Sequence, residues 1–269
     1  APEYLTDLWG TEACDFIDRH HAEPFFLYLP YNAVHSPMHA LETDREKFPE
    51  IEDENRRTYD GMLLAMDRSI GRVLDRLDEH QIADNTIVVF TSDNGGERFS
   101  FNWPFVGKKT ELLEGGLRIP AIIRWPGVTK RASTSDVQAM TMDWLPTFLG
   151  AAGGAPAASH PSDGVDLRPA LGGGTLVQRS LFWRFAYREQ KAARRGRHKF
   201  LEISGNQFLF DVEADPLERG NLKEREPQVF ADLQADWERW NADLLPPDPA
   251  AGRHYFKADR LAEYFGVDS

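Results

Sequence analysis

Asp93 and Asn94 stand side by side after a short apolar run at 87–90 and before two glycines. The run is rich in β-branched residues and predicts a strand buried on both faces. Polar residues at the carboxyl end of such a strand lie where open α/β sheets bind their ligands. Carboxylate and amide oxygens suit Ca²⁺ or Mg²⁺ better than Zn²⁺, and an asparagine in place of a histidine favours calcium. The pair is a candidate calcium site, and the alternative is that it only caps a turn.

Two other loops carry cationic side chains that could act on an anion. His35 lies in a proline-bracketed loop after the apolar run at 25–29, and Lys108 and Lys109 form a pair further along the chain. In a parallel sheet His35 would reach the same edge as Asp93, where it could donate to an anion or protonate a leaving group. The lysines could bind an oxyanion. The alternatives are a hydrogen-bonded loop histidine and a solvated lysine pair.

The composition excludes several classes of function. A net charge of −12 argues against a nucleic-acid binder, which needs a basic surface to displace counterions. It is compatible with an anionic substrate, because a local cluster of cations can override the global sign. Cys14 is the only cysteine, so an intrachain disulfide is excluded. No run has the apolar length of a membrane span, and we expect no membrane partner.

Apolar periodicity predicts strands that alternate with helices over the first part of the chain. The predicted helices are 6–21 with Thr6 as its N-cap, 52–80, and one from 141 or 143 to 152; the predicted strands are 25–29, 87–90 and 119–125. This alternation predicts a mostly parallel sheet that is covered by helices on both faces.

A segment rich in Gly, Ala, Pro and Ser at 153–174 predicts a domain boundary. Beyond it, short strands at 181–186, 198–203 and 208–212 and a helix at 227–244 predict a small antiparallel sheet with one packed helix. We expect the tail from Pro246 to lie along the surface. The predicted domains are therefore 1–174 and 175–269.

Seven segments occur in an order and spacing that resemble one known family. They are Phe25-Phe26-Leu27-Tyr28-Leu29-Pro30-Tyr31-Asn32-Ala33-Val34-His35-Ser36-Pro37, Thr91-Ser92-Asp93-Asn94-Gly95-Gly96, Gly107-Lys108-Lys109 with Glu114-Gly115-Gly116-Leu117-Arg118-Ile119-Pro120, Arg124-Trp125-Pro126-Gly127, Asp143-Trp144-Leu145-Pro146-Thr147, Asp163-Gly164-Val165-Asp166-Leu167, and Leu209-Phe210-Asp211 with Asp215-Pro216 and Asn221-Leu222. Together they resemble the formylglycine-dependent sulfatases of the alkaline phosphatase superfamily.

This resemblance implies a fold, a reaction and a role for four residues. The fold would be α/β, with a mostly parallel or mixed sheet sandwiched by helices as in alkaline phosphatase, plus the small C-terminal antiparallel sheet. The reaction would be calcium-dependent hydrolysis of a small-molecule or glycan sulfate monoester by a hydrated formylglycine. Asp93 and Asn94 would be calcium ligands, His35 would contact the sulfate near its leaving oxygen, and Lys109, five residues before Glu114, would bind a sulfate oxygen. The usual location of members of this family implies a periplasmic, secreted or lysosomal protein.

One part of the family pattern is absent from the 269 residues. No Cys/Ser-x-Pro-x-Arg motif, the source of formylglycine, occurs, and the paired aspartates that complete the calcium site are missing too. Cys14 lies in a predicted helix and is interpreted as a core residue. We therefore expect a C-terminal portion of a sulfatase that is inactive in isolation. The alternatives are a phosphonate or phosphate ester hydrolase of the same superfamily and a non-catalytic sulfatase-like binding protein.

Overall fold

The computed structural model describes residues 3–246, which form two compact units. The first unit comprises residues 3–87 with 98–100, and the second comprises 88–97 with 101–246. The tail beyond Pro246, which we expect along the surface, lies outside the described residues. No helix among residues 3–246 is both long enough and apolar enough to cross a membrane. The division into domains at residue 174 stays a prediction.

The first unit is built on two helices, both predicted from the sequence. Helix α1 spans Leu5–His20 and packs on α3, Glu54–Glu79; the short α2, Glu42–Arg45, and a 3₁₀ turn at Ala83–Asn85 complete the unit. The buried faces carry apolar side chains, namely Ala13, Cys14 and Ile17 on α1 and Met62, Ala65 and Leu77 on α3. The interpretation of Cys14 as a core residue is therefore confirmed.

The helix starts differ in their caps. The side chain of Asp53 accepts the backbone N–H groups of Asn55 at 2.8 Å and Arg56 at 2.9 Å, so it caps α3. Thr6 does not cap α1, and that prediction is wrong. Helix α1 begins one residue earlier, with Tyr4 at the cap position, and Thr6 is buried in its first turn.

The predicted buried strand at 25–29 is not formed among the described residues. Phe26 and Tyr28 are 71% and 76% exposed, whereas Phe25, Leu27 and Leu29 are partly buried. A strand needs a neighbouring strand that accepts and donates its backbone hydrogen bonds. Within residues 3–246 no strand pairs with this segment. Among the described residues, the prediction of a buried strand at 25–29 is therefore wrong.

The first sheet of the second unit has two strands, and both were predicted. Strand β1, Val88–Thr91, pairs with β2, Ala121–Arg124, in antiparallel register with Val88 opposite Arg124. All strand pairs among residues 3–246 are antiparallel. The described part of the mixed sheet therefore contributes an antiparallel pair and no parallel one. Strand β1 is only partly buried, so the prediction that it is buried on both faces is wrong for the described residues. A two-stranded ribbon covers neither of its own faces.

Three short helices follow in the second unit: α4 at Glu114–Leu117, α5 at Trp144–Ala151 after a 3₁₀ turn at Thr141–Asp143, and α6 at Arg168–Leu171. Helix α5 confirms the helix predicted to end at 152. Asp143, fully buried before α5, accepts the N–H groups of Met140 at 2.7 Å and Val165 at 2.9 Å. It also pairs with Arg179. The side chain therefore fastens the loop around 165 to the start of α5.

The predicted small antiparallel sheet with one packed helix is confirmed. Its strands are β3 (Ser180–Phe185), β4 (Gln190–Arg195), β5 (His198–Ile203) and β6 (Asn206–Asp211), paired in that order, and the helix is α7 (Pro227–Ala242). Their shared core consists of Ala193, Phe200, Leu209, Leu233 and Trp237. The sequence did not predict β4, because four of its six residues are Gln, Lys or Arg. Its two alanines are fully buried on opposite faces of the sheet: Ala193 packs under the helix, and Ala192 packs with Leu112, Leu201 and Phe210.

Helix α1 lies close to α3 at Gly10. A Cβ on Gly10 would lie 2.1 Å from the Oγ of Ser69, a fully buried hydroxyl that donates to the carbonyl of Thr6 at 3.1 Å. The Oγ also lies 2.9 Å from the hydroxyl of Tyr31. Because these bonds hold Ser69 in place, a side chain at position 10 would have to separate the helices.

We therefore expect Gly10→Ala to lower the free energy of unfolding by about 1–3 kcal/mol through overpacking. The matched control is Gly71→Ala in α3, where a Cβ would meet nothing within 4 Å. This control should raise the free energy of unfolding by roughly 0.5–1 kcal/mol, because glycine is the costlier residue in a helix interior. Urea denaturation of both variants checks the pair, and a shift of both in the same direction would contradict the close contact.

Candidate functional site

Asp93 and Asn94 follow directly on β1. Asp93 is exposed and Asn94 is half-buried. Among residues 3–246, neither side chain makes a hydrogen bond or an ion pair, whereas the carbonyl of Asn94 accepts from the Oγ of Ser92 at 2.9 Å. The turn-capping alternative is thus not realised in this part of the chain. Their side-chain oxygens stand at the end of a strand, where they can meet a ligand.

The loop after Asn94 packs backbone to backbone against the segment around residues 107–116. The N–H of Gly95 donates to the carbonyl of Gly116 at 2.9 Å, and the N–H of Lys109 donates to the carbonyl of Gly96 at 3.1 Å. A Cβ on Gly95 would lie 1.8 Å from the carbonyl oxygen of Gly115. Only glycine fits this approach, which fixes the backbone of Lys109 close to that of the Asp-Asn pair.

Asn102 joins the same two segments with its carboxamide. Its Nδ2 donates to the carbonyls of Gly96 at 2.9 Å and Gly107 at 3.2 Å, and its Oδ1 accepts the N–H of Gly96 at 3.1 Å. The sequence interpretation did not single out Asn102. A loop asparagine has no periodic pattern around it, so its role is visible only when the segments it joins are in place.

Lys108 and Lys109 differ in their surroundings. Lys108 is exposed, whereas Lys109 is half-buried. The next residue, Thr110, has a φ of +75°. Its carbonyl accepts from the Nε2 of Gln190 at 2.8 Å. The lysine predicted to bind sulfate is therefore the more constrained member of the pair.

His35 belongs to the first compact unit, whereas Asp93, Asn94 and Lys109 belong to the second. The His35 side chain is exposed, and its Nδ1 lies 2.7 Å from the carbonyl of Ser36. That contact assigns a proton to Nδ1, since a carbonyl can only accept. The structure therefore brings together three of the four predicted site residues, and the position of His35 relative to them stays a prediction.

The Glu114-Gly115-Gly116 turn is held by a buried ionic network. Glu114 is 2% exposed, and its Oε1 lies 3.0 Å from the Nζ of Lys199, whose side chain is 0% exposed. Its Oε2 accepts from Arg194 at 3.2 Å. Glu218 lies 2.9 Å from the same Nζ and accepts the backbone N–H of Glu114 at 2.7 Å. Two acidic and two basic side chains therefore bind the turn to β4 and β5.

Comparison with known proteins assigns the chain to a family. A family model described as Sulfatase matches residues 2–155, more than half of the chain. The chain belongs to the sulfatase family. The resemblance inferred from the order of the motifs is therefore confirmed.

Individual sulfatases extend this likeness. Human N-acetylgalactosamine-6-sulfatase is 37% identical over 206 residues, which cover 72% of this chain and 37% of the relative. Human arylsulfatase H is 33% identical over 181 residues, which cover 64% and 31%. A solved structure of Ps i-CgsB in complex with k-i-k-neocarrahexaose superposes with a TM-score of 0.87 at 28% identity and covers 98% of this chain and 60% of that one. The chain spans about a third of the length of these curated relatives.

The solved sulfatase structures also confirm the predicted fold class. They share the α/β, alkaline-phosphatase-like fold with this chain, in which the small antiparallel sheet is present. In this member of the family, the small antiparallel sheet holds the contacts that the sequence patterns did not predict. Lys199 is a lysine inside an apolar strand, a pattern that could have indicated a buried ion pair. Its partners lie 85 and 19 residues away, a separation at which no local pattern operates.

Burial of the Glu218 carboxylate disfavours its charged form, and the ionic network offsets this effect only in part. Desolvation raises the pKa of Glu218, while the positive charge of Lys199 opposes the rise. A buried charge is tolerated only when it is paired, and removal of one partner leaves the other uncompensated. The charges of the four side chains therefore compensate one another, and removal of any one of them should destabilise the fold.

We expect Lys199→Met to lower the free energy of unfolding by about 3–5 kcal/mol, because it leaves Glu114 and Glu218 buried without their shared cation. The matched control is Lys223→Met, which breaks a contact at 3.8 Å between a partly buried lysine and the exposed Glu224. That change should cost at most about 1 kcal/mol. Chemical denaturation monitored by tryptophan fluorescence measures both, and equal small losses would contradict the role of the network.

The stability should also depend on the ionisation of Glu218. Because its folded-state pKa is raised, the unfolded chain releases this proton first, so the free energy of unfolding falls as pH rises from about 4.5 through the raised pKa. Glu218→Gln should lack that fall, and Glu213→Gln, at an exposed glutamate on the same loop, should keep it. Urea titrations at a series of pH values compare the three proteins. A wild-type stability that rises relative to Glu218→Gln over this window would refute the assignment.

Proposed function

We propose that this chain is part of an enzyme that hydrolyses sulfate monoesters with calcium and a formylglycine nucleophile. The observation that carries the proposal is the backbone contact at 3.1 Å between Lys109 N–H and the carbonyl of Gly96. It joins the segment with the Lys109 cation to the loop with the two oxygen donors, Asp93 and Asn94. Membership of the sulfatase family supports the choice of reaction. The nucleophile is not among these 269 residues.

The donor set fits calcium in type and is incomplete in number. Asp93 and Asn94 offer a carboxylate and an amide oxygen, which are hard ligands. Among residues 3–246 no group of three or more His, Cys, Asp or Glu side chains could hold a metal. Since calcium takes roughly 6–8 oxygen ligands, most of its shell would come from residues other than these. When bound, the ion would neutralise negative charge on the sulfate group.

Two side chains of this chain would act on the substrate. We assign Lys109 to a sulfate oxygen, where a fixed ammonium group stabilises the charge that grows on the equatorial oxygens during sulfuryl transfer. We assign His35 to the leaving oxygen. Its Nδ1–H is engaged by the carbonyl of Ser36 at 2.7 Å, which makes Nε2 the nitrogen proposed for the substrate. A proton held at that nitrogen would be passed to the leaving group.

The proposed substrate class is supported mainly by a related solved structure. We propose a small-molecule or glycan sulfate ester; the Ps i-CgsB structure, which holds a carrahexaose, supports the glycan. We further propose that residues 1–174 are the C-terminal part of the catalytic α/β domain and that 175–269 form a small subdomain. A periplasmic, secreted or lysosomal location is proposed because members of the family are usually found there.

The test uses the full-length enzyme that contains this chain and compares Lys109→Ala with Lys108→Ala. We expect Lys109→Ala to lower kcat/KM for 4-nitrophenyl sulfate by about 10²–10³, as for loss of one oxyanion donor. Lys108→Ala, one residue away and exposed, is the matched control and should keep nearly all activity. Asp93→Ala should raise the calcium concentration needed for half-maximal activity.

Three outcomes would contradict the proposal. Turnover of a phosphonate or phosphodiester without turnover of any sulfate ester would indicate the other hydrolases of the superfamily. A larger loss in Lys108→Ala than in Lys109→Ala would refute the assignment of the lysine. Absence of every ester hydrolase activity, with retained binding of a sulfated glycan, would favour the non-catalytic binding protein instead.

A further inference from the structure

Thr110 adopts a backbone conformation that its residue type disfavours. Its φ is +75°, in the left-handed region, where a β-branched residue is an outlier. Such a conformation persists only when the surrounding structure imposes it, and it is concentrated at binding and catalytic sites. Thr110 follows Lys109 directly, so the conformation of Thr110 sets the course of the chain immediately beyond that lysine.

Gln190 supplies the restraint. It is the first residue of β4 and is 1% exposed. Its Nε2 donates to the carbonyl of Thr110 at 2.8 Å, and its Oε1 accepts the N–H of Leu112 at 2.9 Å. In a parallel sheet, one residue of the neighbouring strand bonds a carbonyl and the N–H two residues later. The carboxamide of Gln190 makes the same two bonds to Thr110 and Leu112. The requirement for both a donor and an acceptor selects an amide side chain.

Lys109 is thereby held from both sides. Before Thr110, the N–H of Lys109 donates to the carbonyl of Gly96 at 3.1 Å. After it, the carboxamide of Gln190 holds the carbonyl of Thr110 and the N–H of Leu112. The buried pair of Glu114 and Lys199 anchors the end of the same segment. The restraints converge on the backbone of the residue whose side chain is assigned to the sulfate.

We propose that Gln190 is a positioning residue for Lys109, which directs the ammonium group toward the sulfate by holding Thr110 in its left-handed conformation. This inference rests on the proposed function. It gives the C-terminal sheet a part in the reaction that neither the family pattern nor the sequence had assigned to it. The competing explanation is that Gln190 only satisfies two backbone groups and contributes stability alone.

Thr110→Gly separates the two explanations, because glycine adopts a φ of +75° at little cost. If Gln190 acts by holding Thr110, glycine at 110 should restore what Gln190→Leu removes. If Gln190 only satisfies buried polar groups, glycine at 110 restores nothing. The control Gln138→Leu removes a 2.7 Å bond from a glutamine to the carbonyl of Gly196 in the same unit, a carbonyl outside the 109–112 segment.

The experiment measures kcat, KM for 4-nitrophenyl sulfate and inhibition by inorganic sulfate in the full-length enzyme that contains this chain. We expect Gln190→Leu to lower kcat/KM by about 10–100-fold, the effect of a small misplacement of a binding group, and to weaken inhibition by sulfate. The double variant Gln190→Leu/Thr110→Gly should recover most of both losses. Gln138→Leu should keep the wild-type kinetic constants.

Three outcomes would overturn the inference. They are wild-type kinetics in Gln190→Leu, equal losses in Gln190→Leu and Gln138→Leu, and a double variant no better than Gln190→Leu. Amide hydrogen exchange distinguishes a local effect of Gln190→Leu from unfolding of the variant. In a folded variant, the N–H of Leu112 should exchange faster while the amides in the core of β5 stay protected. Absence of sulfate-ester turnover in the wild type would refute the proposed function itself, whereas normal turnover in Gln190→Leu refutes this inference alone.

Discussion

The second unit depends on a lysine that water does not reach. The side chain of Lys199 is fully buried between Glu114 and Glu218, at 3.0 Å and 2.9 Å. Charges removed from water are stable only with partners in close contact, so the three side chains require one another. Because Glu114 opens α4 while Lys199 lies in β5, this requirement fixes the turn after the lysine pair to the C-terminal sheet. The same segment also packs through Leu112 into the apolar cluster that contains Leu201 and Phe210.

Glycine makes the second constraint possible. At Gly95 a Cβ would lie 1.8 Å from the carbonyl of Gly115, and at Gly116 it would lie 2.0 Å from the carbonyl of Glu111. Removing these side chains lets the Asp-Asn loop and the lysine segment share backbone hydrogen bonds directly. Asn102 adds three more bonds to the same contact. The backbones of the candidate site residues are therefore held directly by hydrogen bonds between the two segments.

Local sequence patterns succeeded where local physics decides the structure. The helices α1, α3 and α7 follow from apolar residues at helical spacing, and their ends were predicted within a few residues. Strand β4 was missed because its pairing with β3 and β5 outweighs the low strand propensity of Gln190-Lys191 and Arg194-Arg195. The run at 25–29 shows the converse, since high propensity alone gives no strand without a partner among the described residues.

The sequence by itself determined the family, the chemistry of the candidate ligands and the identity of Asp93, Asn94, Lys109 and His35 as site candidates, because residue types and their order are properties of the chain. Tertiary structure decided which of them meet and what holds them. It placed the first three in one unit and revealed that Gln190, Lys199 and Glu218, from 80 to more than 100 residues away, hold the segment of Lys109. Such contacts depend on burial and on distance in space, and neither can be read from neighbours along the chain.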